Sequence, residues 1–315
     1  MDNKKTKPQE NKVVKREVQV GGVRLKNPIL AASGTFGFGA ELAPHYDLSL
    51  LGGICTTGIT LESRRGNPPP RIAETSGGML NSVGLQNPGV SAFVTDILPE
   101  MLNYGCAIIA NVAGNSTDDY VEMTRILNAT EVTALELNLS CPNVSAGGMS
   151  IGTEPELVRE VVVACRKQTD KPLWVKLTPN VTSISAVAKA AEEAGADALV
   201  LINTLLGIAV DLNSERPLLR NNTGGLSGPA IKPIALRMVY EVYRAVKLPL
   251  VGLGGISSAV DALEFMLCGA SAVQVGTASL VNPELIFSLP EEMAEIAQAA
   301  GHDSLARYTG KLRPW

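Results

Sequence analysis

Histidine is nearly missing from this chain: only His45 and His302 occur in 315 residues, and neither falls at the end of a predicted strand. That argues against histidine acid–base chemistry and against a histidine-built metal site. Cysteine is sparse and odd in number, with five residues at 55, 106, 141, 165 and 268 and no C-x-x-C pair. Such spacing argues against a disulfide framework, a zinc site, or an iron–sulfur cluster held by this chain alone, and it fits a reducing cytoplasm. No apolar run approaches the roughly 18 residues that span a bilayer. Positive charge is not in excess either, since 27 Lys and Arg against 31 Asp and Glu leave a net charge of −4. The basic residues bunch only at the start (Lys4, Lys5, Lys7, Lys12, Lys15, Arg16), so neither nucleic acid nor membrane is an expected partner. Residues 1–16 read as a polar, disordered leader rather than a signal peptide.

Apolar runs that recur at intervals are abundant. Eight are short and nearly continuous, as strands buried on both faces should be. They are Pro28–Gly34, Gly53–Thr60, Ala107–Gly114, Thr133–Ser140, Leu173–Pro179, Ala198–Thr204, Pro249–Gly255 and Ala272–Ala278. Between them lie helix signals. Thr153 with Glu156 forms a capping-box pattern before Leu157–Lys167, and Ser183 opens an alanine-rich helix that Gly195 closes. Pro229 sits inside the start of a helix running to Val246, and Ser258 and Gly269 bracket another. Gly195–Leu199 and Gly269–Val273 repeat one helix-to-strand link, and Val18–Leu25 reads as a hairpin around Gly21-Gly22. Eight β/α units without an internal linker predict a single (β/α)8 TIM barrel over residues 17–315, carrying an N-terminal β-hairpin. The alternative is a doubly wound sheet. Gly252-Leu253-Gly254-Gly255 is half a dinucleotide fingerprint, but it follows the seventh strand instead of the first.

Barrel function collects at the C-terminal strand ends. Those ends read Ser33, Thr56/Thr57, Asn111, Asn138 with Cys141, Lys176, Asn203/Thr204, Gly254/Gly255 and Gly276/Thr277. Strand alternation puts Glu136, Asn138 and Ser140 on one side before the chain breaks into a loop carrying Cys141 and Asn143. A lone cysteine is more often buried and structural than reactive, so Cys141 gains meaning only from its neighbours. Lys176 within Trp174-Val175-Lys176-Leu177 requires an anion, either Glu136 or an electron-rich ligand. Gly254-Gly255 and Gly276-Thr277 close the strands where barrels commonly hold phosphate, with the helix start at Ser257/Ser258 adding a favourable dipole. Two long loops, Gly66 to Gly89 (with Asn67, Arg71, Asn81 and Asn87) and Leu205 to Gly228, read as a lid.

Four motifs carry a family resemblance. Ala32-Ser33-Gly34-Thr35-Phe36-Gly37-Phe38-Gly39, Gly66-Asn67-Pro68-Pro69-Pro70-Arg71, Asn81-Ser82-Val83-Gly84-Leu85-Gln86-Asn87-Pro88-Gly89 and Asn138-Leu139-Ser140-Cys141-Pro142-Asn143 resemble class 1 dihydroorotate dehydrogenases. The continuation Gly147-Gly148-Met149 resembles the class 1B, NAD-linked catalytic subunit. The resemblance spans about residues 17–315. It implies an FMN-binding barrel that oxidises dihydroorotate to orotate in cytoplasmic pyrimidine synthesis. By resemblance, Cys141 is the base that removes the C5 proton, while hydride from C6 passes to flavin N5. Asn81, Ser82, Val83, Gly84, Leu85, Asn138, Asn203 and Thr204 would line the substrate. Ser33, Thr57, Gly58, Asn111, Asn138, Lys176, Ile202, Gly228, Gly254, Gly255, Gly276 and Thr277 would hold FMN, and no metal is implied. The implied partner is an iron–sulfur FAD subunit that passes electrons to NAD, two copies joining a homodimer of this chain.

One departure stands out. The family carries a lysine at the end of the second strand, where this chain has Thr57 within Ile54-Cys55-Thr56-Thr57-Gly58. Threonine is short and neutral, and cannot supply that charge. Two rival functions follow: a flavin-binding relative or scaffold subunit with impaired or redirected activity, and a flavin-free barrel acting on a phosphorylated sugar.

Overall fold

The structure, a computed structural model, describes residues 13–139 and 151–315. Near the start, β1 (Val18–Val20) and β2 (Val23–Leu25) pair antiparallel, with Val18 opposite Leu25. Gly21 and Gly22 turn the hairpin at φ 46° and 83°, a region side chains rarely enter. A Cβ on Gly21 would also lie 2.7 Å from the Asp197 carbonyl oxygen, so the hairpin is pressed against the N-terminal end of the barrel.

The remaining strands, in chain order, are β3 (Ile29–Ala31), β4 (Gly53–Cys55), β5 (Ile72–Thr75), β6 (Gly78–Asn81), β7 (Ala107–Val112), β8 (Ala134–Asn138), β9 (Leu173–Lys176) and β10 (Ala198–Leu201). They continue as β11 (Leu205–Gly207), β12 (Val210–Asp211), β13 (Arg216–Pro217), β14 (Gly224–Ser227), β15 (Leu250–Leu253) and β16 (Ala270–Val275). Strands β3, β4, β7, β8, β9, β10, β15 and β16 close into a barrel in that order, and all their pairings are parallel. Each of the eight apolar runs read from the sequence supplies one barrel strand, and the doubly wound alternative falls away because the sheet has no edge.

Helices cover the barrel. They are α1 (Val90–Ala92) and α2 (Leu98–Met101), joined by the wider helical turn Phe93–Ile97, then α3 (Thr117–Asn128), α4 (Pro155–Arg166), α5 (Ile184–Glu193), α6 (Lys232–Tyr243), α7 (Ala259–Leu267), α8 (Thr277–Val281) and α9 (Leu285–Ala299). Their starts follow local chemistry. The hydroxyls of Ser116, Ser183 and Ser258 accept the N–H groups of Asp119, Ala186 and Asp261 at the first turns of α3, α5 and α7. Gly195 and Gly269, at φ 96° and 126°, lie just past the ends of α5 and α7. Two expectations shift. Thr153 belongs to a preceding 3-10 turn, and Glu154 takes the cap position of α4 because Pro155, with its preset φ, is the first helical residue. Pro229 opens a 3-10 turn, Pro229–Ile231, and α6 proper runs from Lys232 to Tyr243.

Val14, Lys15 and Arg16, grouped in the sequence with the polar leader, belong to the folded body. Val14 is buried, and Lys15 pairs its backbone with the C-terminal segment: its N–H donates to Asp303 O (2.9 Å) and its carbonyl accepts from Leu305 N (2.9 Å). Arg16 reaches Glu291 at 2.5 Å. A sequence of polar residues hides such backbone pairing. Residues 1–12, the rest of that leader, lie outside the described residues.

Candidate active site

The barrel interior is apolar at its base and polar near its mouth. Cross-strand register puts Cys55, Asn111, Glu136, Lys176 and Gln274 on inward-facing positions. Trp174, two residues before Lys176 on the same strand face, is fully buried beneath it. Glu136 has no exposed surface. Its Oε1 accepts from Asn111 Nδ2 at 2.7 Å, and its Oε2 from Gln274 Nε2 at 2.6 Å. Lys176 Nζ lies 3.9 Å from Glu136 Oε1 and donates to Ser33 Oγ at 2.8 Å. Both anions weighed for Lys176 therefore have a basis: a carboxylate lies below it, and a cavity opens beside it.

That cavity measures about 800 Å3, near the upper end of the roughly 300–1,000 Å3 usual for small-ligand sites. Its walls come from the C-terminal ends of the barrel strands. Of the residues singled out from the sequence, Ser33, Thr57, Gly58, Asn81, Val83, Gly84, Leu85, Asn138, Lys176, Ile202, Asn203, Thr204, Gly228, Gly254, Gly255, Gly276 and Thr277 all line it. Residues from nine separate stretches thus meet around one space. At one corner Gly255 has φ 81°, and a Cβ there would stand 2.8 Å from Lys232 Cβ and 2.9 Å from Gly228 O. Only glycine brings the backbone to the cavity edge at that point.

Three of the anticipated polar residues sit elsewhere. Asn111 is fully buried under the floor, where its Oδ1 accepts from Asn138 Nδ2 at 3.2 Å. Thr56 is buried and its hydroxyl accepts from Asn111 N at 3.0 Å. Ser82 is buried behind the lining residues and donates its N–H to Arg71 O. Asn87, from the lid segment, is a structural staple. Its side chain accepts from Thr60 N and Gly89 N and donates to Thr60 Oγ1 and Leu85 O.

The two long loops each carry short strands. β5 and β6 form a hairpin, and with β11 and β14 they build a four-stranded antiparallel sheet in the order β11, β14, β6, β5. Glu74, Thr75, Met79 and Asn81 from this sheet line the cavity as a roof. Ser76-Gly77-Gly78 between two alternating runs was the available turn signal.

The phosphate corner also differs from expectation. The N-terminus of α7 is already answered from within: Asp261 Oδ2 accepts from both Ser257 N and Ser257 Oγ at 2.9 Å, while Ser258 Oγ accepts from Asp261 N. Asp261 in turn meets Lys232 Nζ at 2.5 Å. Burial raises the Asp261 carboxyl, but the hydrogen bonds from Lys232, Ser257 and Ser258 outweigh it and leave its pKa lowered. Part of this terminus is therefore answered by a side chain of the same helix. What remains at this corner is the glycine backbone of Gly254, Gly255 and Gly276, with Thr277 Oγ1 held to Ser227 Oγ at 2.7 Å.

Gln274 is the residue that strand-end reading missed. Its signal was the one that exposed Lys176, a polar residue inside an apolar strand, Ala272-Val273-Gln274-Val275. Among the described cysteines, burial, then the neighbouring Glu136 charge, pushes Cys55 well above its ordinary range. Burial lifts Cys106 and Cys165 to about 11 and raises Cys268. These four are thiols, not bases. Cys141, with Ser140 and Asn143, lies outside the described residues. β8 ends three residues before Cys141, at Asn138 on the cavity wall. Neither histidine lines the cavity, and the described residues hold no group of three His, Cys, Asp or Glu suited to a metal.

Comparison with known proteins decides the lineage. The family model described as dihydroorotate dehydrogenase matches residues 15–296. The chain belongs to the dihydroorotate dehydrogenase family. Similar relatives are named dihydroorotate dehydrogenase B (NAD(+)), catalytic subunit. The protein from Anoxybacillus flavithermus is 52% identical over 295 residues, covering 93% of this chain and 95% of that protein. That from Caldicellulosiruptor saccharolyticus is 49% identical over 296 residues, covering 94% and 98%. That from Trichlorobacter lovleyi is 52% identical over 296 residues, covering 94% and 97%. The family resemblance read from four motifs thus extends through nearly the whole dehydrogenase chain. No helix among the described residues is long and apolar enough to cross a membrane.

Proposed function

We propose that this chain is the catalytic subunit of an NAD-linked, class 1B dihydroorotate dehydrogenase, oxidising dihydroorotate to orotate with FMN in cytoplasmic pyrimidine synthesis. The observation that carries the reading is the cavity above Lys176, walled by strand-end amides on one side and a glycine edge on the other. Its size suits a planar cofactor together with a small ring substrate.

The residues present fit FMN. Gln274 Oε1 is buried with no hydrogen-bond partner among the described residues, and Gln274 lines the cavity floor. A buried acceptor left alone is costly, and a ring N–H would satisfy it. Ser33, Thr57, Gly58, Asn138, Lys176 and Ile202 would hold the ring system, with Asn111 acting from beneath through Asn138. Gly228, Gly254, Gly255, Gly276 and Thr277 would hold the phosphate end. When bound, FMN supplies acceptance of the two electrons released as the substrate ring is desaturated. Lys176 then stabilises negative charge that develops on the ring edge, in a site where burial strengthens the effect.

Asn81, Asn138 and Asn203 suit a pyrimidine because one amide both donates and accepts along its edge. With Val83, Gly84, Leu85 and Thr204 they would enclose the substrate, Ser82 supporting from behind. Cys141 is assigned the proton at C5. A free thiol titrates near about 8.5 and a positioned base is worth on the order of 100- to 10,000-fold. The phrase "catalytic subunit" in the relatives' names supports a partner, proposed here as an iron–sulfur FAD protein that passes electrons to NAD, two copies serving a homodimer of this chain. A single catalytic domain that begins by Val14 fits this reading.

Purified protein supplied with FMN is expected to be yellow, and dihydroorotate is expected to bleach it without oxygen. Protein that takes up no flavin would overturn the reading. Cys141→Ala is expected to keep the colour and slow bleaching at least 100-fold; bleaching at the parent rate would remove Cys141 from its role.

A further inference from the structure

The floor of the cavity is organised by one buried carboxylate. A carboxylate has only acceptors, so any amide that meets it must turn its NH2 group inward. Asn111 and Gln274 both do so, at 2.7 and 2.6 Å from the two oxygens of Glu136. Their carbonyl oxygens are thereby turned away. Asn111 Oδ1 takes Asn138 Nδ2, and Gln274 Oε1 remains a buried, unpartnered acceptor on a residue that lines the cavity. The same carboxylate stands 3.9 Å from Lys176 Nζ and offsets part of its positive charge. Glu136 itself does not line the cavity and has no exposed surface.

We propose that Glu136 is a positioning residue that sets the charge and hydrogen-bond polarity of the cavity floor, and through them the relative affinity of the site for reduced over oxidised FMN. The inference rests on the flavin reading above. Reduced flavin carries more negative charge in its pyrimidine ring than oxidised flavin. A negative charge beside Lys176 therefore weakens the preference for the reduced form, and removing it strengthens that preference. Gln274 belongs to the same device, because its acceptor faces the cavity only while Glu136 holds its NH2.

The test measures dissociation constants for oxidised and reduced FMN in the parent chain and in Glu136→Gln. The ratio is expected to move at least tenfold toward the reduced form, about 30 mV for a two-electron couple. A purely structural role would weaken both forms alike and leave the ratio in place; that result, or a shift toward the oxidised form, overturns the proposal. Returning the carboxylate to the other side of the pair, in the double variant E136Q/Q274E, is expected to bring the ratio back within threefold of the parent. A ratio that stays at the Glu136→Gln value also overturns it. Should Glu136→Gln not fold, the double variant E136M/Q274M, which replaces the buried pair by apolar side chains of similar size, is expected to move the ratio at least tenfold toward the reduced form; an unmoved ratio is again fatal. A parent chain that binds no FMN strikes the flavin reading instead, and is told apart at the first measurement.

Discussion

At the scale of single residues, the informative positions are polar groups embedded in apolar strands. Lys176 announced itself because lysine is almost never buried without a partner, and the structure gives it Ser33, Glu136 and a cavity. Gln274 carried the same signal, yet only its contact with Glu136, 138 residues away in sequence, reveals which end of its amide the carboxylate holds. Thr57 is the residue that the sequence resemblance marks as a departure from the family pattern. It lines the cavity, and its N–H donates to Gly37 O at 3.1 Å, so the backbone there is fixed while the side chain is short. A charged contact in a desolvated site is worth on the order of 2–5 kcal/mol. Thr57→Lys is therefore expected to speed anaerobic bleaching by dihydroorotate at least tenfold in stopped-flow traces. An unchanged rate would mean that the cavity has already compensated for the missing charge.

At the scale of elements, α6 and α7 are tied by one ionic clamp next to the glycine corner. Lys232 Nζ meets Asp261 Oδ1 at 2.5 Å and Glu264 Oε2 at 2.8 Å. Hydrogen bonds to Asp261 and Glu264 raise the Lys232 pKa, and the Asp261 carboxyl is lowered. The signs fix the pH window. The Asp261 contribution is complete above the ordinary carboxylate value of about 3.9 and is lost as pH falls through its lower folded value; the Lys232 contribution is lost only as pH rises beyond about 10.4. Asp261→Asn is expected to cost about 1–2 kcal/mol at neutral pH, after allowance for the partly exposed Lys232. Denaturant melts should show that difference shrinking below about pH 4. A penalty that persists undiminished in acid would assign it to packing. Sequence reading anticipated the start of α7 from Ser258, but the carboxylate four residues on from Ser257 proved to occupy that terminus.

At the scale of the whole molecule, closure of the barrel converts eight unremarkable strand ends into one site. The base of the barrel is sealed by the hairpin and by Trp174, fully buried, with its indole N–H directed at Gly21 O at 3.5 Å. Trp174→Ala is expected to cost about 3–5 kcal/mol, read as a lowered Tm. Because Lys176 lies two residues further along the same strand face, weaker FMN retention should accompany it. Loss of stability without any loss of flavin would show that the mouth holds its shape independently of the base.

The amino-acid sequence by itself determined the barrel and most of the cavity wall, because burial on both faces forces a continuous apolar run and because polar or glycine residues at its end are local features. Tertiary structure alone decided three things. It paired the lid segments into a roof, since antiparallel partners such as Asn81 and Gly225 are 144 residues apart. It withdrew Asn111 below the lining, since depth within a barrel depends on strand stagger, and Ser82 behind it, since the side chain just past β6 is buried once the roof sheet packs. It also joined Glu136 to Gln274, since the hydrogen bond between them exists only when the last strand closes on the first.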